Sequence, residues 1–294
     1  MVGPTAIGKS NIGLKLAKDF GGEIISADSR QIYKELSIGA AKPSQKDLNQ
    51  VTHHFIDELN LGEPYSAGLF ATQALNRIEE IFSCGRNPIV VGGSTLYLHA
   101  LVHGLSPSPP SDPSIRTKIE NRLKQIGKDA LYEELLNVDP ESALTMDSTK
   151  TARVVRALEV FELSHRPISS FHVNVSPPPY NFCVTELTLN RPTLYQRIEA
   201  RVDSMLDNGL IDEVRQISKM DLDPRYPALK SIGYQEPLAY LNNQIGWQQM
   251  IDLIKRNSRR YAKRQLTWFR RYDSYRRVSV DNSLEDIIEK ITNV

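Results

Sequence analysis

The residues best suited to chemistry are a glycine-containing loop near the start of the chain. Residues 3–10 read GPTAIGKS and match the pattern G-x-x-x-x-G-K-[ST] of phosphate-binding loops. In such a loop, backbone N–H groups and the N-terminus of the following helix bind phosphate oxygens. Lys9 supplies a positive charge, and the Ser10 hydroxyl can bind Mg²⁺. The sequence therefore predicts a phosphate site with Mg²⁺ at Ser10, made of Gly3, Pro4, Thr5, Ala6, Ile7, Gly8, Lys9 and Ser10.

The loop alone leaves the identity of the phosphate open. The N-K-x-D motif with which GTPases read the base is absent from the sequence. Asp28 follows the apolar run EIISA, as expected of an ATP-dependent enzyme, so a small-molecule kinase fits these residues. By residue type alone, Asp28 is more often a turn cap or a Mg²⁺ ligand than a general base.

The elements around the loop alternate between strand and helix. Apolar spacing of three to four residues predicts helices at 11–20, 66–82, 194–206, 211–217 and 244–269. Short apolar or β-branched runs predict strands at 23–29, 53–59, 87–94, 182–189 and 275–281. This alternation is typical of an α/β fold with a parallel sheet flanked by helices. Only Met1 and Val2 precede the loop, so we expect either a sheet that is one strand short beside the loop or a stub strand at Met1–Val2.

A helical segment interrupts the α/β pattern. It lies between the linkers SPSPPSDPS (106–114) and SPPPY (176–180), with predicted helices at 115–123, 131–136 and 151–163. We therefore expect a core formed by residues 1–108 and 181–294, and an all-helical insertion at 109–180.

Positive charge is concentrated near the C-terminus. Residues 255–277 contain ten Lys or Arg and one acidic residue, whereas the net charge of the chain is +1. A solvated basic face would explain this pattern, but such segregation favours a footprint for a nucleic-acid backbone. We expect an apolar stripe at helical spacing to be buried, with Trp268 and Phe269 in the core rather than stacked on bases; the stripe comprises Trp247, Met250, Ile251, Ile254, Tyr261, Trp268 and Phe269.

Composition limits the remaining possibilities. Two cysteines, Cys84 and Cys183, are too few for a disulfide framework or a cysteine-based zinc site. No apolar run is long enough to span a membrane, and no signal segment is recognisable. We expect a cytoplasmic protein without a membrane anchor, and a monomer.

Eight sequence blocks, in order, resemble those of the tRNA dimethylallyltransferases, also called tRNA isopentenyltransferases. The blocks are GPTAIGKS, EIISADSRQIY, IGAAKPS, HHFID, YSAGLF, PIVVGGSTLYLHAL, SIGYQE and KRQLTWFRR. The resemblance covers nearly the whole chain and implies a P-loop NTPase-like core. It implies transfer of a dimethylallyl group from dimethylallyl diphosphate to N6 of adenosine 37 in tRNA. The loop would then hold the diphosphate of a prenyl donor rather than ATP.

The resemblance also implies roles for individual residues. Asp28 would be the general base, Thr5 would reach the leaving oxygen, and Arg201 rather than Arg197 would contact the diphosphate. From the sequence alone, both arginines could instead pair with Glu199 or Asp203 on a helix surface. The helical insertion would grip the anticodon stem-loop. The positions that match tRNA-contacting positions of the family are Asp28, Ser29, Arg30, Gln31, Ser94, Arg116, Ala152, Arg153, Val154, Val155, Arg156, Lys230, Ser231, Ile232, Gly233, Tyr234, Gln235, Lys263, Arg264, Gln265, Leu266, Thr267, Trp268, Phe269 and Arg270.

Two alternatives stay open at this point. One is a relative that prenylates free adenine nucleotides, which would need neither the helical insertion nor the basic C-terminal helix. The other is a P-loop kinase that binds ATP and uses Asp28 to activate a hydroxyl.

Overall fold

The computed structural model describes residues 1–172, 175, 178–220, 222–223 and 226–293. The chain forms two compact units, residues 1–102 with 180–294, and residues 103–179. In chain order the elements are α1 (Lys9–Asp19), β1 (Gly22–Ala27), α2 (Gln45–Leu48), β2 (His53–His54), α3 (Ala67–Ser83), β3 (Asn87–Gly92), α4 (Thr95–His103), α5 (Pro113–Val138), α6 (Pro140–Leu144), α7 (Thr151–Ser164), a 3₁₀ turn (Ile168–Phe171), β4 (Thr185–Thr188), α8 (Arg191–Asp207), α9 (Leu210–Ile217), α10 (Gln235–Leu241), α11 (Trp247–Phe269), β5 (Arg276–Ser279) and α12 (Leu284–Thr292).

The first unit is built on parallel strands. β1 lies between β2 and β3, with Ile25 opposite both His54 and Val90, and β4 pairs with β5. Ile25 and Ala27 of β1 are fully buried, as expected for a strand covered on both faces.

A stub formed by Met1 and Val2 joins the two groups of strands. The Gly92 N–H donates to the Met1 carbonyl (3.3 Å), the Val2 N–H donates to Thr185 (2.8 Å), and the Leu187 N–H donates back to Val2 (2.9 Å). Val2 thus bridges β3 and β4 in parallel register. The prediction of a stub strand is confirmed, and the phosphate-binding loop begins at the carboxyl end of this stub.

One predicted strand is much shorter than expected. Of residues 53–59, only His53 and His54 are in a strand, because Phe55 and Asp57 have positive φ angles of 63° and 58°. An L-residue in this left-handed conformation cannot continue the sheet.

The C-terminal helices differ from the prediction in two ways. Trp247 is 46% exposed, so the predicted apolar stripe is wrong at its first residue; the buried face of α11 comprises Met250, Ile254, Ala262, Gln265 and Phe269. α12 was not predicted, although Ser283 caps it through the Asp286 N–H and Ile287 and Ile288 are buried. The helix is only nine residues long and begins five residues after the end of β5.

The second unit is helical. Gly127, with φ 83°, breaks α5 into two helical segments, as the predicted helices at 115–123 and 131–136 require. The core of the second unit contains Ile119, Leu131, Leu135, Val154, Val155 and Leu158. The predicted linker at 176–180 includes Ser176 and Pro177, which lie outside the described residues.

Candidate active site

The phosphate-binding loop leads directly into α1. Gly8 occupies the N-cap position with φ 102°, a left-handed conformation that favours glycine. Within the described part of the chain, the N–H groups of residues 6–10 have no hydrogen-bond acceptor. Unpaired amides beside a helix N-terminus form an anion-binding site.

The ammonium group of Lys9 lies inside this loop. Its Nζ donates to the carbonyl oxygens of Gly3 (3.0 Å) and Pro4 (2.8 Å). Burial lowers the pKa of Lys9 to about 7; the Arg201 guanidinium adds to the decrease and the Asp28 carboxylate opposes it. The three charges therefore act on one another at a single site.

Two arginines of α8 contact the phosphate-binding loop. Arg197 Nη1 donates to the Ile7 carbonyl (3.4 Å), and Arg201 Nη1 donates to Thr5 Oγ1 (3.4 Å). Burial lowers the pKa of Arg201, and the nearby Asp28 opposes this. The alternative in which Glu199 and Asp203 pair with these arginines is wrong.

The two acids are paired with α11 instead. Arg259 forms an ion pair with Glu199, and Lys255 forms one with Asp203 (2.6 Å). Arg197 and Arg201 are therefore available to the loop.

Asp28 stands immediately after β1. Its Oδ1 accepts a hydrogen bond from the Arg30 N–H at 2.9 Å, and no described residue donates to its Oδ2. The turn after β1 is tied to the turn after β3, because the Ser29 N–H donates to Ser94 Oγ (2.9 Å) and the Ser94 N–H donates to Ala27 (3.2 Å). One carboxylate oxygen is thus fixed, and the other can accept a proton.

A cavity of about 360 Å³ brings these groups together. Thr5, Asp28 and Arg201 line its polar part. The apolar part is formed by α8 and α11, through Ile198, Val202, Met205 and Ile254. With both polar and apolar lining residues, the cavity can hold a ligand that has an anionic group and a hydrocarbon group.

A smaller cavity of about 50 Å³ adjoins the helix end of the loop. Its lining includes Lys9, Ser10, Asp28, Gln31 and His53, so Asp28 lines both cavities. The Ser10 hydroxyl and the Asp28 carboxylate are hard oxygen donors of the kind that Mg²⁺ prefers. Among the described residues, no group of three or more His, Cys, Asp or Glu side chains could hold a metal by itself.

One wall of the large cavity is held by Glu213, which sequence reasoning missed. Its carboxylate accepts from three consecutive N–H groups, those of Ser37 (3.1 Å), Ile38 (2.7 Å) and Gly39 (3.1 Å). The Tyr234 hydroxyl also donates to Glu213 (2.8 Å) and accepts from the Ala40 N–H (3.1 Å).

This arrangement fixes the position of the cavity wall. Gly39 and Ala40 line the cavity. A Cβ atom at Gly39 would lie 2.5 Å from the Tyr234 ring, so the close approach requires glycine. Glu213 is 174 residues from Gly39 in sequence, and no local pattern connects them.

We predict that Glu213→Ala lowers the free energy of unfolding by about 1–3 kcal/mol, because the substitution leaves the Tyr234 hydroxyl and the part-buried N–H groups of Ile38 and Gly39 without their acceptor. The same substitution should raise the Michaelis constant for the ligand of the cavity, because the cavity wall at Gly39 and Ala40 loses its anchor. Urea denaturation measures the first effect. The matched control is Asp212→Ala, which removes an exposed carboxylate paired with Arg215 on the same helix. Equal stability of the two variants would contradict the proposed role of Glu213.

The predicted RNA-contacting residues fall into distinct groups. Ser29, Arg30, Ser94, and the segment 230–233 line the large cavity, and Gln31 lines the small one. On α11, the side chains of Arg256, Arg260, Lys263 and Arg264 are exposed and have no acidic partner among the described residues. These four cations at spacings of four, three and one form the exposed basic stripe of α11.

Several of the predicted RNA-contacting side chains are instead buried in the core. Tyr234 and Phe269 are 1% exposed, and Gln265 is 2% exposed. Val154 and Val155 of the helical unit are also buried. These five side chains therefore pack inside the protein, and their assignment to the tRNA-contacting segments stays a prediction. Phe269 belongs to the core, as expected.

The helical unit pairs two of its three predicted arginines internally. Glu159 is fully buried and accepts from Arg156 Nη1 at 2.9 Å, and Arg116 Nη1 lies 3.8 Å from it. Arg153 is exposed and has no acidic partner in the described part of the chain. Among these three arginines, Arg153 is the one whose charge no acid neutralises.

Among the described residues, no helix is long and apolar enough to cross a membrane.

Comparison with known proteins identifies the family. The family model described as IPP transferase matches residues 31–272. The tRNA dimethylallyltransferase of Salinibacter ruber is 48% identical over 297 residues, covering 100% of this chain and 91% of that protein. The corresponding enzyme of Chlorobium chlorochromatii is 43% identical and covers 99% and 95%.

Solved structures agree. The full-length tRNA isopentenylpyrophosphate transferase of Bacillus halodurans superposes with a TM-score of 0.73 at 37% identity, covering 99% of this chain and 92% of that one. A eukaryotic dimethylallyltransferase described as acting on tRNA gives 0.73 at 30% identity, covering 91% and 68%. The fold, the loop and these similarities together lead to one conclusion: the chain belongs to the IPP transferase family.

Proposed function

We propose that this protein transfers a dimethylallyl group from dimethylallyl diphosphate to N6 of adenosine 37 in tRNA and releases diphosphate. The observation that carries the proposal is the shared lining of the large cavity. The phosphate-binding residue Thr5, the cation Arg201 and the candidate base Asp28 lie at one cavity that also has an apolar wall. A prenyl diphosphate is such a two-part ligand.

The loop and the two cations act on the leaving group. As the C–O bond of the donor breaks, its electron pair passes to the diphosphate, where negative charge increases. The free N–H groups of residues 6–10, Lys9 and Arg201 stabilise this charge as it develops. The Thr5 hydroxyl, already 3.4 Å from Arg201, donates to the leaving oxygen. The apolar side chains of α8 and α11 hold the dimethylallyl group.

Asp28 acts on the nucleophile. The adenine N6 lone pair is delocalised into the ring, so N6 is weakly nucleophilic. When N6 bonds to the donor carbon it becomes cationic and acidic, and Asp28 Oδ2 accepts its proton. Oδ1 remains bonded to Arg30 and holds the carboxylate in place.

Mg²⁺ fits the residues beside the loop. Ser10 would hold it at the smaller cavity, with Asp28 left to act as the base. When bound, it neutralises diphosphate charge.

tRNA binds to the exposed basic stripe of α11 and to Arg153 of the helical unit. The helical unit binds the anticodon stem-loop. Since adenosine 37 lies within a folded loop, its base must turn outward to reach Asp28. Arg30, Lys230 and Ser231 at the large cavity would then contact the displaced base or its neighbours. Cytoplasmic location and a monomeric state stay predictions of the sequence.

Mass analysis of nucleosides tests the proposed function. The protein is incubated with Mg²⁺, dimethylallyl diphosphate and unmodified tRNA. In one parallel reaction AMP replaces the tRNA, and in another ATP replaces the prenyl donor. We expect the mass of one adenosine in tRNA to rise by one dimethylallyl group, with AMP and ATP unchanged. Prenylated AMP with unmodified tRNA would favour the free-nucleotide enzyme, and ATP turnover would favour the kinase.

A second prediction concerns tRNA binding. Each phosphate contact releases counterions and makes tRNA binding weaken more steeply with salt. Losing one contact therefore reduces the steepness of log K against log[salt] by about 0.7–0.9. Lys263→Met, in the exposed basic stripe, should reduce the slope by this amount. Lys255→Met is the matched control, because Lys255 on the same helix is already paired with Asp203. Filter binding at salt concentrations from about 50 to about 300 mM measures both slopes. Identical slopes for the two variants would contradict the placement of RNA on this stripe.

A further inference from the structure

We propose that Gln265 is a positioning residue that fixes the Thr5 hydroxyl for the transfer reaction. The inference rests on the proposed function. Gln265 lies on α11, two residues after Lys263 and next to Arg264, yet its side chain is 2% exposed. It faces the phosphate-binding loop rather than the surface that carries the cations.

Both functional groups of the Gln265 amide are bonded. Oε1 accepts from the Thr5 N–H at 2.9 Å, and Nε2 donates to the Gly93 carbonyl at 2.7 Å. A backbone N–H can only donate and a carbonyl can only accept, so this network permits a single orientation of the amide. Gln265 thereby ties the loop to the turn that follows β3.

The bond to Thr5 has a direct consequence for the reaction. The Thr5 N–H points to Gln265 and is therefore not directed at the bound phosphate, unlike those of residues 6–10. What Thr5 contributes to the cavity is its hydroxyl, which lies 3.4 Å from Arg201 Nη1. Since the loop contains left-handed residues at Ala6 and Gly8, its backbone has no regular hydrogen-bond ladder to hold it. The contact with Gln265 supplies a fixed point at Thr5.

The close approach of Gln265 to Gly93 also constrains residue 93. A Cβ atom at this position would lie 2.5 Å from Gln265 Nε2, so a side chain there would displace the amide. Gly93 is not in the left-handed region. Its lack of a side chain is explained by the space that Gln265 occupies.

A double-mutant cycle tests the inference. Single-turnover rates are measured at saturating tRNA and donor for wild type, Gln265→Met, Thr5→Val and the double variant. Methionine keeps the volume of Gln265 but forms neither bond, and valine keeps the Thr5 N–H but has no hydroxyl. We expect Gln265→Met to lower the rate about 10- to 100-fold in wild type, and less than about threefold in the Thr5→Val background, because interacting residues are not additive. The tRNA dissociation constant should change less than about twofold.

Gln248→Met changes an exposed glutamine of the same helix whose side-chain amide donates to Asp252, and should leave the rate unchanged. If Gln265→Met does not fold, as judged by circular dichroism, Gln265→Asn replaces it in the same cycle, because the shorter side chain keeps a polar amide but cannot reach both the Thr5 N–H and the Gly93 carbonyl. Equal losses in both backgrounds would overturn the inference, as would weaker tRNA binding at an unchanged rate. Inactive wild-type protein would instead contradict the proposed function, and the inference with it.

Discussion

Asp28→Asn should lower the rate of prenyl transfer by about 10²- to 10⁴-fold, the usual contribution of a general base. Asparagine keeps the shape of the side chain and can still accept from the Arg30 N–H, so the turn after β1 should stay in place. It cannot take the N6 proton. Single-turnover kinetics with saturating tRNA and donor measures the loss, and filter binding should show tRNA affinity within about twofold of wild type, since no phosphate contact is removed.

The matched control for Asp28→Asn is Asp19→Asn. Asp19 is a partly exposed acid of α1 that pairs with Lys15, and it lines neither cavity. Its substitution should leave the rate unchanged. If Asp28→Asn abolished tRNA binding and left the transfer rate of bound tRNA intact, Asp28 would be an RNA contact and not the base.

Lys9→Met should lower kcat/KM for the prenyl donor by about 10²- to 10³-fold, the scale found when a preorganised donor to developing negative charge is removed. The Lys9 ammonium is held at the loop by the carbonyl groups of Gly3 and Pro4, and both bonds can be exchanged for phosphate oxygens. Methionine retains the length of the side chain without the charge. Steady-state kinetics over a range of donor concentrations, together with calorimetric binding of inorganic diphosphate, separates the loss of affinity from the loss of turnover.

Lys15→Met is the control for the lysine experiment. Lys15 lies on the same helix as Lys9, is partly exposed and pairs with Asp19. Normal kinetics are expected. Wild-type affinity for diphosphate together with wild-type kcat in Lys9→Met would contradict the assignment of the loop as the leaving-group site.

Local patterns explain why much of this site could be predicted from sequence. The phosphate-binding loop depends on the spacing of two glycines, a lysine and a serine, and Asp28 is recognisable because a buried strand ends just before it. Helix and strand periods are equally local, so α1, α3, α7, α8, α11, β1 and β3 were predicted close to their observed bounds. The segregation of charge on residues 255–277 likewise needs no coordinates.

Predictions went wrong where exposure depends on what packs against a residue. Trp247 has the spacing of a core residue, but it lies at the first turn of α11 and is 46% exposed. Gln265 is polar and stands among cations, but it is buried because the loop and Gly93 both approach it. Neither outcome can be derived from a periodic pattern, because the neighbours come from distant parts of the chain.

The sequence by itself determined the chemistry available to this protein: a phosphate-binding loop, an aspartate after a strand and a basic helix. Only the tertiary structure decided how these groups are used. It directed Arg197 and Arg201 to the loop by pairing Glu199 and Asp203 with α11, and it placed Glu213 and Gln265 as acceptors for backbone groups more than 170 residues away. The physical reason is that hydrogen bonds and ion pairs depend on distances of about 3 Å between atoms, and for residues far apart in sequence such distances are fixed by packing.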